Sequence, residues 1–272
     1  MTWTQFSQGF RLDPITKGSP EALVILLHDL GTCAATLGPV AARWAATVPT
    51  AAFIALDGTE QLDPPSSGLP SHRTLDLDTG AEPARLDGAA RQLGPLLERQ
   101  LRSCRLDASR LVLVGFGYGG TLALHMVLRQ RRSCAGVLAF AAKPMRPLPR
   151  ILRVDHKVRL IACLGEGRID HGSLRDVVAL LTGRGIDTRA VLLAGSALSD
   201  EAIRHGGAYL VELVATAQRG ARFHVDRERS MRSRASAPSI APAPHGVPLL
   251  VPAGVARQAV SGSEEDAAGR QS

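Results

Sequence analysis

The chain has 272 residues, of which 45% are hydrophobic and 21% charged; that is ample for one large core and excludes a wholly disordered chain, a collagen and a coiled coil. The net charge is +7, from 32 basic and 25 acidic residues, yet Lys17, Lys143 and Lys157 are its only lysines and asparagine is missing altogether. That skew reads as a composition bias, and with aromatics at 4% a base-stacking surface or a nucleic-acid partner is not expected.

Short apolar runs alternate with longer helical patterns. In chain order the runs are Ala22–His28, Ala51–Leu56, Leu111–Gly115, Gly136–Phe140, Val158–Leu164 and Thr188–Leu193. Most are apolar at consecutive positions, as strands covered on both faces of a parallel sheet are. Between them the spacing predicts helices over Pro39–Thr47, Pro83–Ser103 (with a kink at Gly94-Pro95), Thr121–Arg132, Ser173–Arg184 and Asp200–Ala217. The alternation predicts a doubly wound, mostly parallel α/β three-layer sandwich. Asp57–Gly80, rich in Pro, Ser, Asp and Gly, is long for a connection and is expected to overhang the carboxyl edge of the sheet.

The predicted globular domain spans residues 1–218. From Arg219 to Ser272 the sequence loses its period, and five prolines fall between Pro238 and Pro252. This stretch is expected to be a mostly disordered Arg/Pro/Ala-rich tail. Its first part, Arg219–Arg234, carries six arginines and two acids, which reads as a solvated charge run in preference to a protein-docking or nucleic-acid arm.

The cysteines Cys33, Cys104, Cys134 and Cys163 are scattered without CxxC spacing. Free thiols in a reducing, cytoplasmic setting are therefore expected. No stretch fits a signal peptide or a membrane span. No spacing suits a metal, and no nucleotide-binding glycine motif is present, so no cofactor is expected.

One segment carries chemical information. Strand Leu111–Val114 runs into Gly115-Phe116-Gly117-Tyr118-Gly119-Gly120 and then into the helical pattern beginning at Thr121. Strand, tight turn and helix are the context of a nucleophile elbow, G-x-S-x-G. Gly115 and Gly119 meet its requirement for small residues where backbones crowd. The nucleophile position itself is Gly117, which has no side chain.

Four ordered blocks within Glu21–Val214 resemble the carboxylesterase/phospholipase family of α/β-hydrolases, which includes acyl-protein thioesterases. LVILLHDLG (23–31) resembles its strand and oxyanion loop, HGLG. LVLVGFGYGGTLALHMVLR (111–129) resembles its GFSQGG elbow and helix. IACLGEGRID (161–170) stands where the family has its acid, HGxxD. LLAGSALSDEAIRHGGAYLVELV (192–214) matches the histidine loop, GHGI, and the final helix.

The resemblance implies an ester or thioester hydrolase in which serine attacks, histidine moves the proton, an acid orients the histidine and two backbone N–H groups hold the oxyanion. Those N–H groups would be Leu30 and Tyr118. The serine position, however, is Gly117, the histidine position is Ser196, and the acid position is Arg168, with Asp170 nearby in a shortened loop. Asp29 replaces the oxyanion-loop glycine, and Leu69–Thr74 replaces an aromatic stretch of many relatives.

This degenerate triad leads to three expectations. In the first, the chain is an inactive hydrolase homologue that binds a small acyl or carboxylate ligand, or a partner. In the second, it is an active esterase or thioesterase with a site rewired through Cys33, His28 or His171. In the third, the folded part is a scaffold for the arginine-bearing tail.

Overall fold

A computed structural model describes residues 3–57, 82–129, 132–142, 156–164 and 171–235. The long segment 58–81, the acid-loop residues Arg168 and Asp170, and the tail beyond 235 lie outside these, as does the Leu69–Thr74 replacement. By internal contacts the chain divides into Met1–Met231 and Arg232–Ser272; the first unit holds the sheet and its helices.

The strands are β1 (Thr4–Phe6), β2 (Gly9–Leu12), β3 (Ala22–Leu27), β4 (Ala51–Leu56), β5 (Leu111–Phe116), β6 (Gly136–Phe140), β7 (Lys157–Cys163) and β8 (Asp187–Leu193). They form one sheet in the order β1-β2-β4-β3-β5-β6-β7-β8. The six strands from β3 to β8 run parallel to their neighbours, while β1 and β2 add an antiparallel hairpin to the β4 edge. All six expected strands are present, to within about a residue at each end. The hairpin was not expected: TQF and GFRL are short, β1 is largely exposed, and no Asn-Gly or Asp-Gly turn signals the reversal.

Among the described residues five α-helices cover the sheet: α1 (Gly38–Ala45), α2 (Glu82–Cys104), α3 (Tyr118–Leu128), α4 (His171–Thr182) and α5 (Asp200–Ala235). The period-two geometry of a strand sends alternate side chains to opposite faces. Leu23, Ile25 and Leu27 of β3 therefore pack with α2, α3 and α4, and Ala22, Val24 and Leu26 of the same strand pack with α1 and α5. Two cores back to back explain the unbroken apolar runs, and they establish the three-layer sandwich.

α2 contains the Gly94-Pro95 pair at which a kink was expected. α5 runs on to Ala235, past the expected boundary at 218/219.

Tertiary detail fixes α5 to the sheet. Trp44, Phe116 and Phe140 stack, the two phenylalanine centroids 4.5 Å apart, and the Trp44 indole N–H donates to the Ile203 carbonyl at 2.9 Å. Gly206 lets the helix lie on these rings, since a Cβ there would stand 2.4 Å from Phe140 Cζ.

A fully buried arginine supplies a second anchor. Arg159 of β7 has no exposed side-chain surface. Its Nε and Nη2 donate to the two oxygens of Glu212 on α5, at 3.1 and 2.7 Å. Its Nη1 and Nη2 donate to the two oxygens of Asp187 on β8, at 3.1 and 3.0 Å. Nη1 also meets the carbonyls of Val158 and Asp187. Such a group is tolerated in a core because its charge and its donors are matched.

Candidate functional site

The parallel register places β3 beside β5, with Leu27 opposite Gly115. Chain leaving the carboxyl ends of both strands therefore meets above the sheet, where open α/β folds place their ligands. From β3 comes the loop His28–Cys33. From β5 comes the turn Phe116–Tyr118, which leads directly into α3.

The turn has elbow geometry. Gly117 sits at φ 53°, ψ −115°, a backbone region that glycine enters without a Cβ clash and that other residues occupy only with strain. Its N–H donates to the Phe140 carbonyl at 2.8 Å, and its carbonyl accepts from Thr121 N at 3.0 Å. Crowding around it is severe. A Cβ on Gly115 would lie 2.3 Å from the Gly119–Gly120 peptide, and one on Gly119 would lie 2.4 Å from the Leu27 carbonyl oxygen. Both glycines are thus required by the close passage of three backbone segments.

The loop from β3 is equally fixed. The Asp29 carbonyl accepts from His28 Nδ1 at 2.8 Å, from Thr32 Oγ1 at 2.8 Å and from Thr32 N at 3.2 Å. Gly31 at φ 78° supplies the left-handed residue of this turn. Asp57, at the end of β4, accepts from Ala34 N at 2.8 Å and pins the helical turn that follows.

The central observation concerns the Asp29 side chain. Its Oδ1 accepts from Leu30 N and from Tyr118 N, each at 2.8 Å. These are the two N–H groups that the sequence nominated as oxyanion donors, and they converge on a carboxylate belonging to the chain itself. The same carboxylate lies over the elbow: a Cβ on Gly117 would stand 2.2 Å from Asp29 Cγ and Oδ1 and 2.3 Å from Oδ2. Asp29 thus takes both the donors and the space that a nucleophile side chain at residue 117 would need. The space beside Gly117 is filled from within the chain. The fixed positive end of α3, whose first residue is Tyr118, favours an anion at this point.

The remaining sequence candidates are dispersed. Ser196 is exposed in the turn between β8 and α5, where its carbonyl accepts from Ser199 N at 3.1 Å. Cys33 is exposed, and no described residue hydrogen-bonds to its thiol. His28 is half-buried with Nδ1 committed to the Asp29 carbonyl, so that nitrogen is not available as a base. His171 is the first residue of α4, and its side chain lies outside the described residues.

A His–carboxylate pair that sequence reasoning missed lies elsewhere. His125 Nε2 donates to Asp87 Oδ1 at 2.7 Å, joining α3 to α2 about two helical turns from the elbow. Burial pushes the His125 imidazole below its ordinary pKa. Its Nδ1 is buried without a partner, as suits a neutral ring carrying its proton on Nε2. The spacing of Asp87 and His125 in sequence gives no hint of the pair, because it forms across two helices. Among the described residues no group of His, Cys, Asp and Glu could hold a metal ion, and no helix is long and apolar enough to cross a membrane.

An eight-stranded, mostly parallel sheet with a glycine-crowded elbow at its carboxyl edge defines an α/β-hydrolase fold. A family model described as phospholipase/carboxylesterase matches residues 15–158, more than half of the chain, and the chain belongs to that family. Solved structures share the fold. Esterase PE8 is 23% identical with a TM-score of 0.63, over 76% of this chain and 98% of its own. YahD, determined with malic acid, is 18% identical with a TM-score of 0.58, over 75% and 97%. The Bacillus cereus carboxylesterase is 15% identical with a TM-score of 0.62, over 75% and 92%. Among curated proteins no sequence matches the chain.

Proposed function

We propose that this protein is a non-hydrolytic member of the phospholipase/carboxylesterase family, a binding protein built on a hydrolase scaffold. The observation that carries the reading is the pairing of a side-chain-free elbow, Gly117, with the Asp29 carboxylate on Leu30 N and Tyr118 N. Acyl transfer by this fold needs a nucleophile at the elbow, a base within about 3 Å of it and two vacant N–H donors. Glycine supplies no nucleophile. A carboxylate on both donors holds negative charge where an oxyanion would have to develop. Ser196 supplies no base. Removing nucleophile or base from a triad costs about 10⁶ in kcat, which is enough to abolish useful turnover. Three buried free cysteines, Cys104, Cys134 and Cys163, favour a reducing, cytoplasmic setting for this protein.

The test is direct. Purified protein should hydrolyse p-nitrophenyl acetate, butyrate and octanoate no faster than buffer, and a fluorophosphonate probe should leave it unlabelled. Hydrolysis that disappears in Cys33→Ala or His28→Ala would replace this reading with a rewired hydrolase.

A further inference from the structure

We propose that the elbow pocket is a carboxylate-binding site occupied in cis by Asp29, so that this side chain acts as a tethered plug which a ligand carboxylate must displace. The inference deepens the non-hydrolytic reading and rests on it, because a ligand held there is bound and released rather than cleaved.

The pocket already holds a carboxylate, and its geometry shows how. Two N–H groups from different elements, Leu30 on the β3 loop and Tyr118 at the start of α3, reach one oxygen at 2.8 Å each. Bonds from N–H to an ionised carboxylate are stronger than neutral ones, and the α3 terminus adds its own partial positive charge. Nothing in this recognition depends on the carboxylate belonging to residue 29. The space it fills exists because residue 117 is glycine: the three heavy atoms nearest to a Cβ built there are all Asp29 carboxylate atoms. Moving that group aside vacates both the donors and a cavity of matching shape. Asp29, Leu30 and Tyr118, which form this arrangement, are each only partly buried.

Displacement is a competition. A side chain already in place acts at an effective concentration above the millimolar order typical of flexible linkers, so small carboxylates should bind the wild-type protein weakly. Removing the plug should unmask the site. The ligand class is therefore a monoanionic carboxylate, presented by a free short-chain acid or by a peptide terminus.

The experiment follows the assigned ¹H–¹⁵N resonances of Leu30 and Tyr118 during titration with sodium acetate, with sodium chloride at equal ionic strength as the control. In Asp29→Ala both resonances should move saturably with acetate, with half-saturation at least about tenfold below the wild-type value, and neither should respond to chloride. Butanoate and N-acetylalanine then separate the two sources by which of them half-saturates first. If Asp29→Ala fails to fold, Asp29→Asn keeps the side-chain shape but presents a neutral oxygen, and acetate should displace it at lower concentration than in wild type. Resonances that stay still in the folded variant, or that move equally in variant and wild type, overturn the proposal. Ester turnover by the wild-type protein would instead overturn the non-hydrolytic reading, so the two failures are distinguishable.

Discussion

Gly117 and Asp29 behave as one unit, and their coupling can be measured. In Gly117→Ser a Cβ must enter at φ 53° and 2.2 Å from the Asp29 carboxylate. Backbone strain there costs about 1–3 kcal/mol, and pushing the carboxylate off two N–H groups adds a comparable amount. The expected loss in a denaturant titration is about 2–4 kcal/mol. Asp29→Gly removes the obstruction, so Gly117→Ser in that background should cost less, giving a coupling of at least about 1 kcal/mol in a double-mutant cycle. Additive effects would show that the two positions do not share the space. A triad rebuilt at residues 117, 168 and 196 therefore has to begin with Asp29. The crowding of Gly115 and Gly119 was legible in the sequence, because spacing within one turn dictates it. The plug was not: Asp29 registers in the sequence as a missing glycine, and where its carboxylate goes depends on Tyr118, 89 residues further along the chain.

At the scale of elements, the strand pattern was readable because both faces of the sheet are covered, which makes each central strand uniformly apolar. The N-terminal hairpin lacks that cover and carries no such signature. Arg159 escaped notice for another reason. Inside VRLIACL it reads as an interruption, since its partners Asp187 and Glu212 lie 28 and 53 residues away.

The ion cluster has a pH consequence. Hydrogen bonds from Arg159 hold the Glu212 carboxyl well down, to about 2 against an ordinary 4.5, and lower Asp187 from 3.8 in the same way. A carboxyl whose folded value is depressed stabilises the fold fully above its unfolded value, and that contribution drains away as pH falls through the folded one. The melting temperature should therefore decline between about pH 4.5 and pH 2. Glu212→Gln should melt lower at neutral pH and show a flatter decline across this acid window, as followed by circular dichroism. An unchanged acid limb in that variant would remove Glu212 from the account.

For the whole molecule, fold and family were legible in the order of strands, helices and motif blocks, while the extent of the last helix was not. Composition changes at Arg219, yet α5 continues to Ala235, because helix propagation needs only compatible residues beyond a well-packed start. That helix also supplies Glu212, the carboxylate that Arg159 meets with two of its nitrogens. During synthesis β7 leaves the ribosome well before Glu212 does. Until then the face of the sheet that α5 covers, with the Arg159 guanidinium on it, stays open to solvent. A nascent chain stalled after Leu193 should accordingly be cut readily by protease, and one long enough to expose Ala235 should resist. The face that carries Arg159 is thus completed only when the last helix has been made.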